Sequence, residues 1–166
     1  MITDPKIWTN KQLGLYATLL NLTNNRILNY DKIFKGAPRI KYFQSINHTG
    51  DLFIDPDTGI ATGKKITPKR IFIDEIDLLL KKNSDRVIAI YQHNARGKMS
   101  DRLNEVIKHI LKKIRDLYCT YYMSSNVAMI FISKNGVRIK KIHDFHRVFY
   151  EAVPNRIKSY PPMKME

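Results

Sequence analysis

The chain has 166 residues, 29 Lys plus Arg against 15 Asp plus Glu, and a net charge of +14. A hydrophobic fraction of 43% excludes a disordered tail, and the single cysteine, Cys119, excludes an intrachain disulfide scaffold. Apolar runs such as Val127 to Ile132 are far too short to span a bilayer, while the charge attracts polyanions, nucleic acid ahead of an anionic membrane surface.

The length predicts one domain, residues 1–153, followed by a loose tail over 154–166. Ile2 to Asn10 carries Asp4, Pro5, Lys6 and Asn10, unlike a secretory signal, so a cytoplasmic location is expected. Lys11 to Thr23 reads as a helix on the spacing of Leu13, Tyr16, Ala17 and Leu20, and Ile27 to Phe34 as a second. Arg39 to Ile46 reads as a strand and Asn47 to Gly50 as a turn. Asp51 to Ile54 reads as a buried strand that runs abruptly into Asp55-Pro56-Asp57-Thr58-Gly59. Thr67-Pro68 has the form of an N-cap followed by proline at the first helical position. Phe72, Ile73, Ile76, Leu79 and Leu80 then form one apolar stripe. Arg86 to Tyr91 reads as a strand apolar on both faces, which suits a central parallel strand. From Ser100, the residues Leu103, Val106, Ile107, Ile110, Leu111, Ile114 and Leu117 predict a long helix. Val127 to Ile132 reads as a buried strand. Asn135-Gly136 favours a tight type I′ turn into a return strand, Val137 to Lys140, and Asp144 to Ala152 reads as a terminal helix. This order predicts an α/β, Rossmann-like three-layer fold with a mainly parallel sheet and a C-terminal β-hairpin.

In such a fold, ligands sit at the carboxyl edge of the sheet. The first strand delivers Asp55 and Asp57 there, and the second delivers Gln92, His93 and Arg96. Two carboxylates suit Mg²⁺ or Mn²⁺, which prefer oxygen ligands, and such a metal activates water or clamps phosphate. His93 titrates near neutrality and suits a general acid or base. Arg96 suits a two-pronged grip on phosphate. These residues point to metal-dependent phosphodiester hydrolysis. The same Asp-Pro-Asp-x-Gly is also ordinary turn chemistry, so a nucleic-acid-binding protein without catalysis stays open.

Phe53 to Ile60, followed by Ile90 to Arg96, resembles an uncharacterised group of prokaryotic and phage proteins with DPD-x-G and YQH-x-x-R motifs. The layout over residues 51–133 is similar to the second half of Rossmann-like methyltransferases, where an acidic-Pro motif ends the fourth strand. That resemblance implies the fold and the position of the site, and leaves a methyltransferase-like protein with a reduced cofactor site as a further reading. The seven glycines form no G-x-G turn of the kind that dinucleotide-type cofactors need.

Three further patterns are weaker. Arg70 to Asp77 resembles a Walker B strand, but no P-loop precedes it. A nuclease of the restriction-endonuclease type needs Glu-x-Lys where Tyr91 and His93 stand. His143 and His146 lack the companions of a zinc site and read as solvated or phosphate-facing. Nucleic acid is expected to meet Lys64, Lys65, Lys69 and Arg70 beside the acidic loop. It is also expected to meet Lys108, Lys112 and Arg115 on the long helix, and Arg138 and Lys140 on the hairpin. Tyr91, Tyr118, Tyr121, Tyr122 and Tyr150 are candidate stacking surfaces.

Overall fold

The structure is a computed structural model that describes residues 39–63, 67, 69–94, 97–149 and 156–160. The helices expected over 11–23 and 27–34 lie outside these residues. The chain divides into two compact units, Met1–Ile46 and Asn47–Glu166. In the first, the described element is helix α1, Arg39–Ser45, where a strand was expected. Ile46 donates its N–H to the Phe43 carbonyl, and Ser45 Oγ donates to the Tyr42 carbonyl. These local bonds close the last helical turn, which a strand reading leaves open.

The second unit runs β1 (Leu52–Ile54), β2 (Ile60–Ala61), β3 (Ile71–Phe72), α2 (Ile73–Lys82) and β4 (Ile88–His93). It continues with α3 (Met99–Lys113), β5 (Tyr118–Met123), β6 (Val127–Ser133), α4 (Gly136–Phe149) and β7 (Ile157–Tyr160). Five strands form one sheet in the order β1-β4-β6-β5-β7, and β2 pairs with β3 in a separate parallel ladder. Within the five-stranded sheet β1 and β4 are parallel. The pairs β4–β6, β5–β6 and β5–β7 are antiparallel. The mainly parallel Rossmann-like sheet is therefore overturned.

The physical reason lies in residues 114–126. The long apolar stripe predicts one helix through Leu117, but α3 stops at Lys113. Ile114 caps it by donating to the Ile110 carbonyl, and Asp116 takes a left-handed φ of 55° that no helix continues. The following Tyr-Cys-Thr-Tyr-Tyr run is rich in aromatic and β-branched residues, which favour a strand. β5 then turns back through residues 124–126, where Ser124 donates to the Val127 carbonyl. A strand reached by so short a turn has to run antiparallel. β6 thus inserts between β4 and β5, reversing what would have been a parallel array.

The expected hairpin at Asn135-Gly136 is a helix start instead. Asn135 Oδ1 accepts the Arg138 N–H at 3.2 Å, the bond of an N-cap. A Cβ on Gly136 would lie 2.8 Å from the Tyr118 ring, so the glycine serves close packing rather than a type I′ turn. Val137 to Lys140, expected as a return strand, opens α4. The segment expected as a loose tail contains β7, whose Ile157–Tyr160 pairs along Tyr122–Cys119. At α2 the expected Thr67-Pro68 cap is displaced. Residues 71–72 are held in the β2–β3 ladder, and Glu75 accepts the Phe72 N–H at 2.9 Å, so the helix begins at Ile73.

The core follows from strand alternation. Ile88, Ile90, Cys119, Tyr121, Ile130 and Ile132 share one face and are at most 2% exposed. The stripes of α2 (Ile76, Leu79, Leu80) and α3 (Leu103, Val106, Ile107, Ile110) are equally buried. These helices are tied together by Lys113 and Asp74 at 2.6 Å. Cys119 is buried, and burial pushes its thiol far above the ordinary range. The opposite face is covered by α4 over β5, β6 and β7. There Thr120 Oγ1 bonds His143 Nδ1 at 3.1 Å. His146 sits among Tyr122, Phe131 and Phe145. Both histidines are half-buried in these contacts, where solvated or phosphate-facing side chains are expected.

The far end of the β1–β4 pair is held by a buried cation. Arg86, fully buried, donates to the carbonyls of Gly50, Leu79 and His48. Burial lowers its pKa and Asp51 opposes that shift. Asp51 in turn takes both Arg138 prongs, at 2.9 and 2.7 Å, and accepts the Val87 N–H.

Candidate active site

The register Leu52↔Ile88, Phe53↔Ala89 and Ile54↔Ile90 sets the two strands side by side at one sheet edge, with β4 running on to His93 past the end of β1. β1 ends at Ile54, and the chain folds over the end of β4. Gly59 donates to the Pro56 carbonyl at 3.1 Å, and Thr58 donates to the Lys69 carbonyl through its N–H and its hydroxyl. Gly59 has φ +82°, and a Cβ there would lie 2.3 Å from the Gln92 amide. Glycine is therefore required twice, by conformation and by space.

Gln92 is the residue on which this turn is built. It is fully buried. Its Oε1 accepts the Ile60 N–H at 2.8 Å, and its Nε2 donates to the carbonyls of His93 and Thr58. Placed among the reacting groups from sequence, Gln92 has its polar atoms committed to holding the loop. The alternation Ile88, Ile90, Gln92 puts it on the core face, a signal present in the sequence. Arg102, unremarked from sequence, holds the other side of the loop. It donates to the Ile60 carbonyl at 2.9 Å and to Thr62 Oγ1 at 3.1 Å.

Asp55 and Asp57 are exposed on the turn. Partial burial raises the Asp55 pKa, His93 opposes that rise and Asp57 adds to it. Asp55 thus lies within electrostatic range of both Asp57 and His93. Lys69 Nζ lies 4.0 Å from Asp57, a long, exposed pair of small energetic weight. His93 stands edge-on to Tyr91, ring centroids 4.7 Å apart, and its buried Nε2 has no hydrogen-bond partner among the described residues. Asn94 Nδ2 donates to the Gly97 carbonyl. Arg96 lies outside the described residues, as do Lys64 and Lys65.

Among the described residues no group of three or more His, Cys, Asp or Glu gathers to hold a metal ion. Two carboxylates remain, and Mg²⁺ commonly binds through one or two, completing its shell with water and substrate phosphate.

The remaining predicted basic residues separate into two sets. Lys108, Lys112 and Arg115 are exposed and make no ion pair among the described residues. Arg138 is occupied by Asp51 and the Asp85 carbonyl, and Lys140 by Asp144 at 3.0 Å. They do not share a face, because residues two positions apart on a helix point about 200° apart. Arg70 Nε donates to Thr58 Oγ1. Of the tyrosines, Tyr121 is buried, Tyr122 stacks on His146, and Tyr118 covers Gly136. Tyr150 lies outside the described residues. No described helix is long and apolar enough to cross a membrane.

No protein-family model and no curated protein sequence matches this chain.

Proposed function

We propose that this chain acts on nucleic acid as a divalent-metal-dependent phosphodiester hydrolase. The observation that carries the reading is the parallel β1–β4 register, which brings Asp55, Asp57 and His93 to one rim. In this reading Asp55 and Asp57 bind Mg²⁺ or Mn²⁺ together with a substrate phosphate. When bound, such a metal would supply an acidified water. His93 would take that water's proton as its oxygen forms the new P–O bond, and would return a proton to the leaving oxygen as the old ester bond breaks. Arg96 is assigned to a phosphate oxygen by its place in the sequence. The charge of +14 supplies the attraction for the polyanion.

The test is cleavage of labelled DNA and RNA at low salt, with Mg²⁺, Mn²⁺ or chelator, by the wild type and by Asp55→Ala/Asp57→Ala. Metal-dependent cleavage lost in the double variant is expected. Salt-sensitive retention of substrate without cleavage overturns hydrolysis. It would favour the second reading, a binding protein without catalysis. The Thr58–Lys69 and Gln92–Ile60 bonds favour that reading, because they give the acidic turn a structural role of its own.

A further inference from the structure

Among the described residues, the sheet face opposite the core is covered unevenly. α4 lies over β5, β6 and β7, whereas β1 at the other edge presents Phe53, 63% exposed. Phe53 pairs in register with Ala89. The side chains that follow Ala89 on the same strand face are Tyr91 and His93. Ala89 is small, so the strip from Phe53 past Tyr91 has no bulky residue on β4 rising between them. Tyr91 is itself half-buried and braced edge-on by His93. Across from Tyr91 stands Met129 on β6, also half-buried.

An exposed phenylalanine on a strand offers a flat apolar face to a planar partner. Two features say what that partner is. The strip is continuous with the candidate active site, since Phe53 lies two residues before Asp55 and Tyr91 two before His93. Two residues of strand span about 6–7 Å, roughly the reach from a nucleotide's phosphate to its own base. The chain is also strongly cationic, and the polyanion it attracts is one whose bases carry flat π-faces.

We infer that the Phe53–Tyr91 strip is a stacking platform for unpaired nucleobases, so that the substrate is single-stranded. A duplex hides its base faces within its own stack, whereas single strands lay them on aromatic side chains of a sheet. This inference rests on the proposed action on nucleic acid and names its substrate class. It does not depend on hydrolysis.

Binding is measured by fluorescence anisotropy in chelator, where nothing is cleaved. The probes are a labelled single strand, its duplex, and an abasic strand of equal charge. The wild type is expected to prefer the single strand to both others. Phe53→Ala should weaken the single strand by about 5- to 100-fold and leave the duplex and abasic strand unchanged. Phe53→Trp should retain binding. Because Phe53 is exposed, its truncation leaves the core intact, which circular dichroism checks.

Equal binding of the three probes, or no loss with Phe53→Ala, overturns the platform. So does a wild-type dimer that Phe53→Ala dissociates without altering single-strand binding, since the strip would then be a contact between copies of this chain. If the wild type cleaves with metal but Phe53→Ala leaves single-strand preference untouched, the platform falls and hydrolysis stands. If it never cleaves but loses single-strand binding with Phe53→Ala, hydrolysis falls and the platform stands.

Discussion

Gly59 shows how much one residue carries when conformation and packing coincide. An Ala there meets a positive φ and the Gln92 amide together, so Gly59→Ala is expected to destabilise by about 1–3 kcal/mol, read from a urea midpoint. The amide of Gln92 is similarly committed, and Gln92→Leu should unpair the Ile60 N–H and disorder the turn, seen as faster amide exchange at residue 60. Asp55 provides a pH signature. Its folded pKa is raised, chiefly by partial burial, so the native state binds its proton more readily than the unfolded chain does. That charge therefore opposes folding above the raised pKa, and the penalty disappears as pH falls to the ordinary carboxylate value. Asp55→Asn should raise Tm at pH 7, with a gain that fades on acidification. His143 acts in the other direction: burial lowers its pKa, so stability falls as pH drops below its ordinary value. A Tm profile of His143→Gln with a flatter acid limb checks this.

Helix ends and strand ends account for most of the departures from the sequence-based reading. Asn135 was read as a turn residue because Asn-Gly favours type I′ geometry. The same Asn side chain caps α4, and both uses draw on its short acceptor. Asn135→Ala should cost about 1 kcal/mol, measured by thermal unfolding, whereas a residue in an exposed turn would cost far less. The boundary of α3 was misplaced because Ile114 and Leu117 continue a helical stripe although they are buried beyond the helix end. Periodicity reports which residues face the core, not how the backbone connects them. Arg86 ties elements together rather than belonging to one. With Arg86→Met the carbonyls of Gly50, Leu79 and His48 lose their donor, and the expected cost is about 3 kcal/mol or more, read from denaturant unfolding.

At the scale of the second unit, the sheet is a parallel pair, β1 and β4, extended by an antiparallel set. The parallel pair places the acidic turn beside His93. The antiparallel set brings α4 over β5, β6 and β7 and leaves Phe53 exposed. The catalytic and stacking readings therefore depend on different parts of one topology, and separate variants test each. Binding should also weaken steeply with salt, since phosphate contacts release counterions. A shallow dependence would point away from nucleic acid.

The residues alone carried the charge, the strands β1 and β4 to within two residues at each end, and the parallel pairing of those strands. These rest on local composition and on the preference of consecutive βαβ strands to pair. Sheet direction could not be read in the same way. It turned on residues 114–126, where the helical stripe that runs to Leu117 gives way to β5 and a short turn that reverses the chain. Nor could the commitments of Gln92, Arg138 and Lys140 be foreseen, because a polar side chain's partner is set by chain segments far away in sequence. Asp51 meets Arg138 only because α4 folds back over the sheet, and Phe53 is exposed on the edge strand β1.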